Sequence, residues 1–177
     1  LKKIVSKGLS GQNKQERKIM KHTTYEELND TQKKLLLHAQ EVMEQSYSPY
    51  SNFLVGAALL THDNTIITGT NFENAAYGEC ICAERAAILN ANSRGYRHFK
   101  AISIIAKHKD FEIEKVAAPC GSCRQVLYEA SKIYNEPLEV ILSSTNMKSI
   151  IISSIDELLP LAFGPQDLGI DIKSYQN

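Results

Sequence analysis

Two short cysteine segments, CICAERAA at 80–87 and APCGSCRQV at 118–126, constrain this chain more than anything else in it. Cys120 and Cys123 form a CxxC pair. Three residues apart in a first helical turn, both thiols lie on one face. Alone, such a pair suits a redox couple, half of a structural zinc site, or two small buried residues. A third thiolate changes the reading, because zinc sites that do chemistry commonly use three protein ligands and leave the fourth position to water. Either Cys80 or Cys82 can supply it. A helix start at Cys82 favours that residue, since the N-terminal dipole stabilises a thiolate there as it does at Cys120 and Cys123. Any fold that satisfies this pattern must bring two helix N-termini together.

Three thiolates on one divalent ion leave an excess of negative charge. Arg85 and Arg124 each follow a key residue directly, placed to offset that excess by hydrogen bonding to sulfur or by fixing the ligands. Either could equally be an ordinary surface arginine. Glu84 stands two residues after Cys82. A glutamate in a first helical turn is ordinarily a dipole-friendly charge, but beside two cysteine segments it becomes a proton carrier for the metal's water that need not be a ligand.

The rest of the chain supplies a scaffold. Apolar residues recur at helical spacing between about Thr24 and Gln45, and SYSPYSN breaks that pattern. LVGAALLTHDNTIITGTNF reads as a β-hairpin with a polar turn, in which Gly56 and Ala57 leave room for a close approach. The spacing predicts a helix from about Cys82 to Asn92 closed near Gly95, a buried strand at 101–106, and a helix that Pro119 precedes and that runs through about Lys132. LEVILSS and SIIIS read as strands, and Ser154 with Glu157 has the spacing of a capping box. This order predicts a three-layer α/β/α sandwich with a central five-stranded mixed sheet. No internal repeat divides it, so residues 20–177 are expected to form one catalytic domain.

Charge narrows the partners. The first 21 residues hold seven of the 20 basic side chains and one of the 20 acidic ones, leaving an acidic body. That argues against nucleic acid as the partner. Residues 1–19 are expected to be a disordered extension or cloning remnant ahead of a start at Met20, and they contain no secretory apolar stretch. No apolar run approaches the roughly 20 residues that cross a bilayer. A cytoplasmic protein with free or metal-bound thiols is the expectation.

CAE at 82–84 followed by PCGSC at 119–123 resembles the zinc nucleoside deaminase signature, with cysteine in place of the histidine of the HxE form. SPYSNFLVGAALL, GTNFENAAYGECICAER, APCGSCRQVL and ELLPLAFGPQDL extend the resemblance to the small homotetrameric cytidine deaminases, from about Thr24 to Leu168.

The resemblance implies one Zn²⁺ per subunit on Cys82, Cys120 and Cys123, with Glu84 moving protons from the metal's water to cytosine N3 and then to the departing amine. The products are uridine or 2'-deoxyuridine and ammonia, a step of pyrimidine salvage. It implies that Asn71 and Glu73 bind the ribose, that Phe53 packs on the pyrimidine, and that the Ala83 backbone reads the base edge. Phe163 is implied to come from a neighbouring subunit. Cys80 holds a position that is variable in that family and is not a ligand there. His22, His38, His62, His98 and His108 show no ligand spacing with the cysteines and are read as structural or exposed. Two other readings stand: a blasticidin-type deaminase, which NFEN fits poorly, and a non-catalytic zinc module in which Cys80 closes the coordination shell.

Overall fold

The computed structural model describes residues 20–176; the expected N-terminal extension lies outside them. Helix α1 (Asp30–Met43) begins where a capping box forces it to. Asn29 Oδ1 accepts from the Gln32 backbone N–H at 2.9 Å, and Gln32 Oε1 accepts from the Asn29 N–H at 3.1 Å. Two otherwise orphaned backbone donors are satisfied there, so the helix starts later than Thr24. Tyr25 and Leu28 still pack into the core beside it.

The hairpin expected after the SYSPYSN break is strand β2 (Phe53–Thr61) paired antiparallel with β3 (Ile66–Thr70). Asn64 takes a left-handed conformation in its turn, one that asparagine tolerates better than most residues. Helix α2 (Ala83–Ser93) follows, and Gly95, at φ 85°, ends the segment. Strand β4 (Phe99–His108) and helix α3 (Gly121–Lys132) come next, then β5 (Glu139–Ser143) and β6 (Ile150–Ser154). The Ser154–Glu157 capping box is present and opens the one-turn helix α4 (Ile155–Leu158).

Among the described residues the sheet has six strands where the sequence predicted five. The addition is β1 (Lys21–Thr23), which pairs antiparallel with β6, giving the order β1-β6-β5-β4-β2-β3. Three polar residues carry no apolar alternation, and their strand character comes from backbone pairing with a neighbour. The sheet is mixed as expected: β4 and β5 run parallel across α3, and all other pairs are antiparallel.

Each face of the sheet has its own core. Leu35, Leu36 and Met43 of α1 pack against Leu60, Ile105 and Ile141 on one side. On the other, Ala87, Leu127 and Leu158 of α2, α3 and α4 pack against Leu59, Ile102 and Leu142. Two glycines set how closely these layers approach. A Cβ at Gly56 would stand 2.0 Å from the Ala39 carbonyl oxygen of α1, and one at Gly69 would stand 2.3 Å from the Ala87 nitrogen of α2. Gly56 admits α1, and Gly69 seats α2 directly on β3.

Candidate active site

Cys82 is the N-cap residue of α2 and Cys120 that of α3, both with extended backbone and without a side-chain capping bond. Their thiols are therefore free to point away from their own helices. Cys123 lies one turn inside α3. The Sγ atoms of Cys82, Cys120 and Cys123 all lie within 4.8 Å of one another. Zinc–sulfur bonds of about 2.3 Å set the sulfurs of a common tetrahedral ion roughly 3.8 Å apart, so the three thiols fit one ion with little movement. Burial is graded: Cys123 is buried, Cys82 half-buried and Cys120 exposed, which leaves the cluster open on one side.

Cys82 and Cys123 differ in their affinity for a proton. A hydrogen bond from Cys123 pulls the Cys82 thiol down to about 5 against the opposing effect of burial, with the Arg85 guanidinium assisting. That same bond, together with burial, pushes Cys123 up. The Arg85 guanidinium is held more firmly charged, first by its hydrogen bond to Cys82 and further by the field of all three sulfurs.

The two arginines differ. One Arg85 terminal nitrogen donates to the Cys80 carbonyl at 2.8 Å and lies 3.7 Å from Cys82 Sγ. Arg124 reaches no sulfur. Its Nε donates to the Pro119 carbonyl at 2.8 Å and an Nη to the Leu158 carbonyl at 2.9 Å, tying the residue before Cys120 to α4.

Glu84 is the second residue of α2 and only 4% exposed. Burial raises its carboxyl above the ordinary value, and the neighbouring Cys82 charge adds to that. Cys80 stays outside the triad: its sulfur accepts from the Asn74 N–H at 3.4 Å, within the loop that leads into α2.

Of the residues expected to contact substrate, Phe53 opens β2 and Asn71 and Glu73 follow β3, whereas Ala83 opens α2 and Phe163 lies beyond α4. Asn71 follows β3 directly, and its amide bridges β2: Oδ1 accepts from the Val55 N–H and Nδ2 donates to the Phe53 carbonyl, both at 2.8 Å. Glu73 accepts from the Tyr50 and Ser51 N–H groups at 2.9 and 3.2 Å and from the Ser51 hydroxyl. Burial pushes the Glu73 carboxyl up, but these bonds outweigh it and hold the group below its ordinary value. Sequence reading did not assign Tyr50 and Ser51 this anchoring part; the serines flanking Pro49 were the available signal. Ala83 is buried, Phe53 is 38% exposed and Phe163 is 59% exposed. The Phe163 carbonyl accepts from Gln125 of α3 at 2.9 Å, which holds that segment beside the second cysteine helix.

A mixed-sheet sandwich that ends two helices on one three-thiol cluster beside a buried glutamate has the architecture of the zinc-dependent hydrolytic deaminases. Comparison with known proteins agrees. Residues 29–135 match the family described as the cytidine and deoxycytidylate deaminase zinc-binding region. A cytidine deaminase of Sporosarcina psychrophila is 44% identical over 136 residues, covering 76% of this chain and 93% of that one. One from Halalkalibacterium halodurans is 40% identical over 135 residues, covering 76% and 95%. The crystal structure of cytidine deaminase from Burkholderia pseudomallei superposes with a TM-score of 0.66 at 43% identity, covering 73% of this chain and 97% of that one. This chain belongs to the cytidine and deoxycytidylate deaminase family, and its three-cysteine cluster is of the zinc-binding type.

Proposed function

We propose that this chain catalyses the zinc-dependent hydrolytic deamination of cytidine and 2'-deoxycytidine, releasing ammonia and forming uridine and 2'-deoxyuridine. The observation that carries the proposal is a buried Glu84 two positions from Cys82, in the helix turn that delivers one thiol of the cluster. The curated relatives, named as cytidine deaminases, support the choice of substrate.

Cys82, Cys120 and Cys123 would hold one zinc ion per subunit, which would supply the Lewis acidity that makes water a nucleophile at neutral pH. Glu84 takes a proton from the attacking water and gives it to N3 of the pyrimidine. It then passes the second proton to the amine leaving C4. A carboxyl that gives as well as takes is served by burial, which raises its affinity for a proton. Arg85 steadies Cys82, and Arg124 fixes the Pro119 backbone that leads into Cys120.

Phe53 packs on the pyrimidine and the Ala83 backbone reads the base edge. Asn71 and Glu73 bind the ribose. Asn71 retains one amide hydrogen and one oxygen lone pair beyond its two bonds to β2, enough to meet a sugar hydroxyl. Phe163 enters the site of a neighbouring subunit in a homotetramer, a reading supported by its exposure. Among the described residues no helix is long and apolar enough to cross a membrane, and we place the enzyme in the cytoplasm, without membrane or nucleic-acid partners.

The test is incubation of the zinc-analysed protein with cytidine, deoxycytidine and blasticidin S, following the ultraviolet change and ammonia release. One zinc per chain with turnover of both nucleosides is the expected result. A zinc-loaded protein that turns over neither nucleoside sinks the substrate assignment. Sedimentation should give the mass of four chains.

A further inference from the structure

Away from the thiols, His62, His98 and Glu136 offer donor atoms that all lie within 4.8 Å of one another. They come from three parts of the chain. His62 follows β2, His98 precedes β4, and Glu136 lies in the connection from α3 to β5. The cysteines stand at the N-terminal ends of α2 and α3, whereas His98 and Glu136 follow the C-terminal ends of these helices. Helices of 11 and 12 residues put about 17 Å between the two places. We propose that His62, His98 and Glu136 form a second site, for a divalent transition ion of the zinc, nickel or cobalt kind.

His98 and Glu136 are held in place. The His98 ring lies between two others, with His62 on one face at 4.1 Å and 10° and Tyr134 on the opposite face at 3.9 Å and 2°. The Tyr134 hydroxyl donates to the Gln176 carbonyl, fixing the outer ring of this stack. Backbone bonds from the His62 N–H to the His98 carbonyl, 2.9 Å, and from the Glu136 N–H to the Ser131 carbonyl, 3.3 Å, tie the connections. His98 Nε2 and Glu136 Oε2 are 2.8 Å apart. The hydrogen bond to His98 is the largest influence holding the Glu136 carboxyl below its ordinary value, so the group is anionic. Of the nearby charges, Lys100 is engaged by Asn64 Oδ1 at 3.0 Å, and Asp63 is engaged by Thr61.

Two imidazoles and a carboxylate form a donor set of borderline softness that suits zinc and its neighbours better than magnesium or calcium. On binding, the hydrogen on His98 Nε2 that now meets Glu136 moves through solvent to Nδ1, the freed Nε2 lone pair turns to the ion, and Glu136 exchanges that hydrogen bond for a metal bond. His62, whose ring lies parallel to that of His98 and so directs its lone pair past the ion, leaves the stack and turns toward it, an exposed side chain being free to do so, and water completes the shell. Because the site is open and lacks thiolates, it is the weaker of the two.

The experiment titrates Zn²⁺ into protein already carrying one equivalent, by calorimetry and equilibrium dialysis, with histidine ring shifts followed by NMR. A second equivalent should bind, shifting the His62 and His98 rings. The variants His62→Gln and Glu136→Gln should weaken that event at least about tenfold while keeping the first equivalent and the unfolding midpoint of the one-zinc protein. His108→Gln, a histidine elsewhere on the surface, should leave both events unchanged. Absence of a second event in the unaltered protein overturns the proposal, as does a second event that both variants retain.

Discussion

A terminal nitrogen of Arg85 sits 3.7 Å from the Cys82 sulfur while donating to the Cys80 carbonyl, so one guanidinium joins the incoming loop to the first thiol of the cluster. Its Nε has no hydrogen-bond partner among the described residues although it is buried. A partner that orients a metal ligand is typically worth about 10–100-fold in metal affinity or activity. Arg85→Gln should therefore release zinc to a chelator about that much more readily, measured by competition with a colorimetric dye. Arg124→Gln, which loosens backbone and not sulfur, should lower the unfolding midpoint more than it changes zinc affinity.

Glu84→Gln removes the proposed proton carrier and keeps the shape. General acid–base groups contribute roughly 10²–10⁴-fold, so deamination should fall by at least about 100-fold with zinc content near one per chain. Rates within tenfold of the parent enzyme would exclude Glu84 as the proton carrier.

The two close-approach glycines should separate stability from metal binding. Gly56→Ala presses on the Ala39 carbonyl of α1, on the face away from the cysteines; overpacking of this kind costs about 1–3 kcal/mol. Zinc affinity should be unchanged. Gly69→Ala presses on the Ala87 nitrogen and the Ala83 carbonyl, within the helix that carries Cys82 and Glu84. It should weaken zinc binding as well as lower the unfolding midpoint, read by paired calorimetry and chelator competition.

Asn71→Ala leaves the Val55 N–H and the Phe53 carbonyl without their partners, a loss of about 1–3 kcal/mol that denaturant unfolding will measure. If Asn71 also binds ribose, KM for cytidine should rise further than in a variant equally destabilised elsewhere. Glu73 makes an acid-range prediction. Its folded-state carboxyl lies below the ordinary value of 4.5, so its contribution is present above that pH and disappears as pH falls through the lower folded value. Glu73→Gln should flatten this part of the acid unfolding curve.

Local chemistry made much of this molecule readable. The Cys82 helix, the 53–70 hairpin and the Ser154 cap each follow from contacts within a few residues, and the layer order follows from them. What sequence reading missed depends on partners far along the chain. Strand β1 exists because β6 offers it a backbone, and three polar residues announce nothing of that. Arg124 follows a cysteine of the cluster, yet its guanidinium turns to Leu158, 34 positions away. The Asn71 amide closes on Phe53 and Val55 because the hairpin folds back, a relation no periodicity encodes. Positions 62, 98 and 136 meet only after three connections have been laid side by side.

The outer edge of the sheet also bears on how the protein behaves in a crowded solution. An open strand edge is a template on which other chains can grow, and long, flat, apolar edges are the dangerous ones. Among the described residues β6, with its run of isoleucines, is covered by Lys21–Thr23, a three-residue strand that begins with a lysine. A short charged border in that position discourages end-to-end aggregation while leaving the catalytic face untouched.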